Sequence, residues 1–174
     1  KGLPFETVVP EGFAVGKTSL VRRFVTNVFS EHYHTTIGVT VEKKTVTVEQ
    51  QDVMLMLWDL YGEDEFQHVR ESYFRGSSGY ILVMDGTRKA TLDTACLLQQ
   101  TVVRTVGPLP FVAIINKSDL QSEWEIDEPA IKQLQEQGWQ VLFGSAKLGQ
   151  GVEELFGRLA GMLLSPAVPP KTCL

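Results

Sequence analysis

The sequence predicts a three-layer α/β domain with a mostly parallel sheet. Two short continuous apolar runs, one strictly alternating segment beside a third apolar run, and helical apolar periods placed between them support this reading. In chain order, Thr7-Val8-Val9 is a short first strand bounded by Pro10. Lys17 to Val28 reads as a helix, with Leu20, Val21, Phe24 and Val28 at three- and four-residue spacing. Glu42 to Glu49 alternates Lys44, Val46 and Val48 with Thr45, Thr47 and Glu49, and Gln50-Gln51 turns the chain into Val53 to Trp58. This pair is expected as an antiparallel hairpin at a sheet edge, its second strand the more deeply buried.

Tyr80 to Met84 and Phe111 to Ile115 suit central parallel strands covered on both faces. Leu92, Ala95, Gln99, Val102 and Val106 mark a helix between them, and a further helix from Glu128 to Gln137 stops at Gly138. Gln140 to Phe143 completes a set of six strands. Val152, Leu155, Phe156, Leu159, Met162 and Leu163 form the apolar stripe of a last helix. Residues 1–164 thus make one domain, and 165–174, with Pro166, Pro169 and Pro170, are expected as a disordered tail. No internal repeat or linker divides the chain.

Composition narrows the function. A chain of 174 residues, 43% hydrophobic and 21% charged, matches one globular domain with a substantial core. A net charge of −5 argues against a nucleic-acid partner, since phosphate-binding proteins of that kind tend to be basic. Two cysteines, Cys96 and Cys173, are too few for a disulfide framework or a zinc site. Cys96, in an apolar helical stretch, is expected as a small buried hydrophobe in a reducing, cytoplasmic setting. No 18-residue apolar run exists to cross a membrane, and Lys1 to Glu6 lack the apolar core of a signal peptide.

Gly16-Lys17-Thr18 follows the first strand and opens a helix, as in the second half of a phosphate-binding loop. Backbone N–H groups from Ala14, Val15 and Gly16 through Ser19 would face phosphate oxygens. Lys17 would reach the β- and γ-phosphates, and the Thr18 hydroxyl would hold Mg²⁺. The full pattern asks for glycine where Glu11 stands, and Gly12 comes one place late. Asp59 and Gly62 form Asp-x-x-Gly after the strand ending at Trp58. An acid there can serve Mg²⁺, and Gly62 can turn its N–H to a γ-phosphate.

Asn116-Lys117-Ser118-Asp119 follows the strand ending at Ile115, the kind of strand end where open α/β sheets bind ligands. The Asp119 carboxylate can accept from both N1–H and the exocyclic amine of guanine, a donor pair adenine lacks. Asn116 would brace the loop and Lys117 would lay its stem along the base. Ser145-Ala146-Lys147, after the last strand, offers backbone N–H groups to the guanine O6.

With these four motifs in this order, the chain resembles the Ras superfamily of small GTPases from about Val8 to Leu164, within the P-loop NTPase fold. Phe29-Ser30-Glu31-His32-Tyr33, Thr35 to Val39, Trp58-Asp59, Ser72 to Gly76 and Leu82 to Asp85 are Rab-like. The resemblance implies GTP and GDP as ligands and Mg²⁺ as cofactor. It makes Phe29 the ring against the base, Tyr33 a cover over the phosphates, and Thr36 the threonine that joins Thr18 and Asp59 at Mg²⁺ in the GTP state. Loops around Thr36 and from Gly62 to Phe74 would be the switches that meet effectors, exchange factors and GTPase-activating proteins.

The departures shape the functional expectation. Glu63 occupies the place of the water-positioning glutamine, Tyr61 replaces a small residue, and Phe13 sits in the phosphate loop. Cys173 stands alone and second from the end, outside the Rab prenylation pattern, which leaves membrane association open. A bacterial or otherwise atypical member, or a truncated chain, fits that ending. The leading expectation is a slow GTPase switch, with Lys17 and Glu63 as its catalytic side chains. The alternatives are a pseudo-GTPase that binds nucleotide as an interaction module and, with Asn-Lys-x-Asp against it, a nucleotide kinase.

Overall fold

In the computed structural model, which describes residues 5–9, 14–30, 39–60 and 74–165, the apolar runs become the centre of one sheet. Its strands are β1 (Phe5–Val9), β2 (Val39–Val48), β3 (Gln51–Leu60), β4 (Gly79–Asp85), β5 (Phe111–Asn116) and β6 (Val141–Phe143). They lie in the order β2-β3-β1-β4-β5-β6. All neighbours are parallel except the β2–β3 hairpin, whose register runs from Val39 opposite Leu60 to Val48 opposite Gln51. Every residue of β4 and β5 is buried, as strands covered on both faces require.

Among the described residues, four α-helices cover the sheet: α1 (Lys17–Thr26), α2 (Ala90–Val106), α3 (Glu128–Glu136) and α4 (Val152–Leu164). Strand pleating divides the core into two halves. Ile81 and Val83 of β4 pack with Leu20, Val21 and Phe24 of α1 and with Leu155, Phe156 and Leu159 of α4. Tyr80, Leu82 and Met84 turn the other way, onto Ala95 and Val102 of α2 and Leu134 of α3. The expected three layers and six strands are therefore present.

Several strand ends shift by one to three residues, and two differences have a visible backbone cause. The helical period reaches Val28, but α1 stops at Thr26, where Asn27 adopts a left-handed φ of 57° and donates its N–H to the Arg23 carbonyl. Val28 is consequently exposed. The hairpin turns at Glu49-Gln50, both left-handed, so Gln51 already belongs to β3. Cys96 is half-buried at the margin of the core instead of fully enclosed.

The ring of Phe24 stacks on Phe156, with centroids 3.9 Å apart. Lys44 of β2 lies over the same Phe24 ring, donates to the Phe24 carbonyl at the carboxyl end of α1, and pairs with Glu153 at 2.9 Å. This contact fastens the hairpin to both helices beneath the sheet. Phe156→Ala, which empties the centre of this stack, should lower unfolding free energy by about 3–5 kcal/mol in chemical denaturation.

Candidate functional site

Register places the carboxyl ends of the parallel strands along one rim. Val9 aligns with Asp59, and Asp85 with Asn116. The chain runs from β1 to β3 on one side and to β4 on the other, so the sheet reverses direction of build at β1. Open sheets bind ligands at such a reversal, and the segment that follows β1 leads to Gly16-Lys17-Thr18.

The start of α1 is shaped for an anion. Ala14 has a φ of 53° and Gly16 a φ of 97°, so the chain coils tightly before the helix. Gly16 at the N-cap has no side chain to bond the first N–H groups, and no acidic residue lies in the first turn. By contrast, α3 is capped by the Asp127 carboxylate, which accepts from the Ala130 N–H. A Cβ on Gly16 would overlap the Asn116 amide, so glycine is needed for space as well as conformation.

Thr18 Oγ1 donates to Asp59 Oδ2 at 2.6 Å across a sequence gap of 41 residues, which joins the first two motifs physically. Lys17 and Asp59 are both buried. Burial pushes the Asp59 carboxyl above its ordinary value, against the Thr18 hydrogen bond and the charges of Lys17 and Arg22, which pull it down. Asp59 Oδ1 is enclosed and has no hydrogen-bond partner among the described residues. A carboxylate with one orphaned oxygen beside a hydroxyl suits a hard divalent cation, which prefers oxygen ligands.

The remaining motifs meet in a second cluster. The buried Asn116 side chain donates to the Val15 carbonyl at 2.9 Å and accepts from the Ala146 N–H at 3.1 Å. Ser145 donates its hydroxyl to Asp119 Oδ1. Lys117 has a left-handed φ of 68° and ion-pairs with Asp85 at 2.6 Å, a hold that fixes its stem. Phe29 is half-buried against the α1 side of the core. Among the described residues, Ala14 to Ser19, Asp59, Asn116, Lys117, Asp119 and Ser145 to Lys147 thus occupy one rim. Glu11, Gly12, Phe13, Tyr33, Thr36, Tyr61, Gly62, Glu63, Arg70, Cys173 and the proline-containing tail lie outside the described residues.

Comparison with known proteins agrees with this arrangement. A sequence profile described as the Ras family matches residues 7–165. The chain belongs to the Ras family. It is 33% identical over 162 residues to the Ras-related protein Rab-1 of Theileria parva, covering 91% of this chain and 74% of that protein. It is 32% identical to Rab-13 of Canis lupus familiaris, over 86% of this chain and 75% of the relative. Against Rab-4 of Dictyostelium discoideum identity is 34%, over 82% of this chain and 71% of the relative. This is a Rab-like GTPase, a GTP-binding switch.

One site residue escaped the sequence reading. Asp85, at the end of β4, is fully buried and receives Lys117, the Arg88 Nε at 2.8 Å, and the N–H and hydroxyl of Thr87. In the sequence it stands only as the last residue of the Rab-like run Leu82 to Asp85, with no role assigned. Trp124 closes the same corner by donating Nε1–H to the Lys117 carbonyl at 3.1 Å.

Burial raises the Asp85 carboxyl, but the bonds from Lys117, Thr87 and Arg88 outweigh it and hold the group below its ordinary range. A carboxyl lowered on folding adds stability above its unfolded pKa of about 4, and that stability is lost as pH falls through the folded value. Unfolding midpoints between pH 6 and pH 3 should therefore fall more steeply below about pH 4 in wild type than in Asp85→Asn, which lacks this titration.

Proposed function

We propose that this Rab-like GTPase is a Mg²⁺-dependent switch that hydrolyses GTP slowly. The Thr18–Asp59 contact supports this most directly, because it couples a helix-start hydroxyl to a buried carboxylate with one unpartnered oxygen. Thr18, Asp59 and, in the GTP state, Thr36 hold the cation. A Mg²⁺ held by these residues would supply charge neutralisation to the phosphates. Lys17 and the N–H groups at the start of α1 bind the same phosphates, while Gly62 donates its N–H to the γ-phosphate. Asp119 reads guanine, with the Ala146 region at O6, Lys117 along the base, Phe29 against it and Tyr33 over the phosphates.

Slow turnover follows from Glu63. A carboxylate beside the attacking water adds negative charge near an anionic transferring group and lacks the amide donor of glutamine. An activating protein that supplies an arginine fits this chemistry, and Arg75, at the edge of the second expected switch, is exposed. Effectors and exchange factors engage the loops around Thr36 and Gly62 to Phe74.

HPLC of nucleotide released from the pure protein tests the reading. Retained GDP supports hydrolysis, and retained GTP without single-turnover hydrolysis supports the pseudo-GTPase module that Glu11, Phe13 and Glu63 would favour. Glu63→Gln should speed single-turnover hydrolysis about tenfold, or 1.4 kcal/mol off the barrier. A slower glutamine variant, with a wild-type rate that falls as the carboxyl protonates, would instead make Glu63 a base. Asp119→Asn should lose guanine nucleotide and gain xanthine nucleotide in competition binding, since the amide donates to the added oxygen.

A further inference from the structure

Arg23 lies in the last turn of α1, at the helix end opposite Lys17, and its guanidinium ties the loop after β6 to the segment just past α1. Nε donates to the Ala146 carbonyl at 2.9 Å, and an Nη donates to the Lys147 carbonyl at 2.6 Å. The other Nη donates to the Asn27 carbonyl at 3.0 Å, just past the end of α1. The guanidinium carbon is 5.8 Å from the centroid of the Phe29 ring. The loop folds over the side chain as well, since a Cβ on Gly149 would touch the Arg23 stem at 3.7 Å.

The two loop bonds span 123 and 124 residues of sequence, while the Asn27 bond is local. Holding two successive carbonyls and a third on another segment needs several donors in a fixed fork, which arginine has and lysine lacks. The residues held are those that frame the purine in the proposed function. Ala146 and Lys147 belong to the loop assigned to O6, and the same loop presents Ser145 to Asp119. Asn27 sets the path of the chain to Phe29, the ring assigned to the base.

We infer that Arg23 is a positioning residue for the guanine pocket, which fixes the Ser145–Lys147 loop and the Phe29 segment against the carboxyl end of α1. The inference rests on the base-site reading above and extends it to a residue that does not touch nucleotide. Helix α1 then acts as a short strut: its amino end serves the phosphates and its carboxyl end carries both walls of the base site. A ten-residue helix spans about 15 Å.

The competing account is that Arg23 only places positive charge at a helix carboxyl end, a role lysine fills equally well. Wild type, R23K and R23A are each loaded with a fluorescent GDP and chased with excess unlabelled GDP. GDP and ADP affinities are measured in parallel by competition. Release from R23A should be about tenfold faster than from wild type, with R23K close to R23A. GDP affinity should fall while weak ADP affinity holds, so that guanine-over-adenine selectivity drops by about the same factor. Wild-type release from R23K would overturn the fork, as would equal weakening of GDP and ADP in R23A or unchanged release from R23A. A wild-type protein that retains no guanine nucleotide would overturn the base-site reading, and the inference with it.

Discussion

The site depends on the amide of Asn116. It is buried at the end of β5, donates to the carbonyl before Gly16, and accepts from the backbone N–H of Ala146. Those bonds span 101 and 30 residues of sequence, so one side chain sets the distance between the phosphate loop, the central sheet and the last loop. A buried amide that lost either partner would carry the full desolvation cost of an unpaired polar group, about 1–3 kcal/mol. That penalty makes the arrangement all-or-none. Gly16 is part of the same constraint, because any larger residue would enter the space the amide fills. The glycine of the first motif and the asparagine of the third are thus two sides of one contact.

Much of this was legible in the sequence because it is written in local pattern. Period-two and period-3.6 apolar spacing gave the strands and helices, and strand-end motifs gave the rim on which the site lies. What escaped was either a boundary or a partnership. Val28 continues the helical period, yet the left-handed cap at Asn27 ends the helix first, and periodicity carries no information about a cap that forms through its own backbone. Cys96 falls on an apolar stretch but at the margin of the core, a distinction set by tertiary packing. The sequence reading places Lys117 along the base but gives no role to Asp85, 32 residues earlier, whose carboxylate fixes it. Arg23 reads as an ordinary cation near a helix end until the fold brings the loop after β6 onto it. Long-range pairings of this kind have no periodicity to betray them.

The two buried aspartates show how the halves of the site differ. Asp59, one residue before the end of β3, and Asp85, the last residue of β4, lie on the strands that flank β1, and both are enclosed. Desolvation raises each, but only Asp85 has enough donors to reverse it, drawing on Lys117, Arg88 and Thr87. Asp59 has the Thr18 hydroxyl on one oxygen and, among the described residues, no hydrogen-bond partner on the other. On the base side, Asn116, Lys117 and Asp119 all have protein partners, and such a network is rigid before any ligand binds. On the cation side, the buried carboxylate keeps an unmet demand for positive charge that burial makes costly. In the proposed function a cation at Asp59 would meet that demand, while the base side would serve as a fixed frame. A switch needs this asymmetry, because a ligand can shift a conformational equilibrium only through contacts that differ between its states.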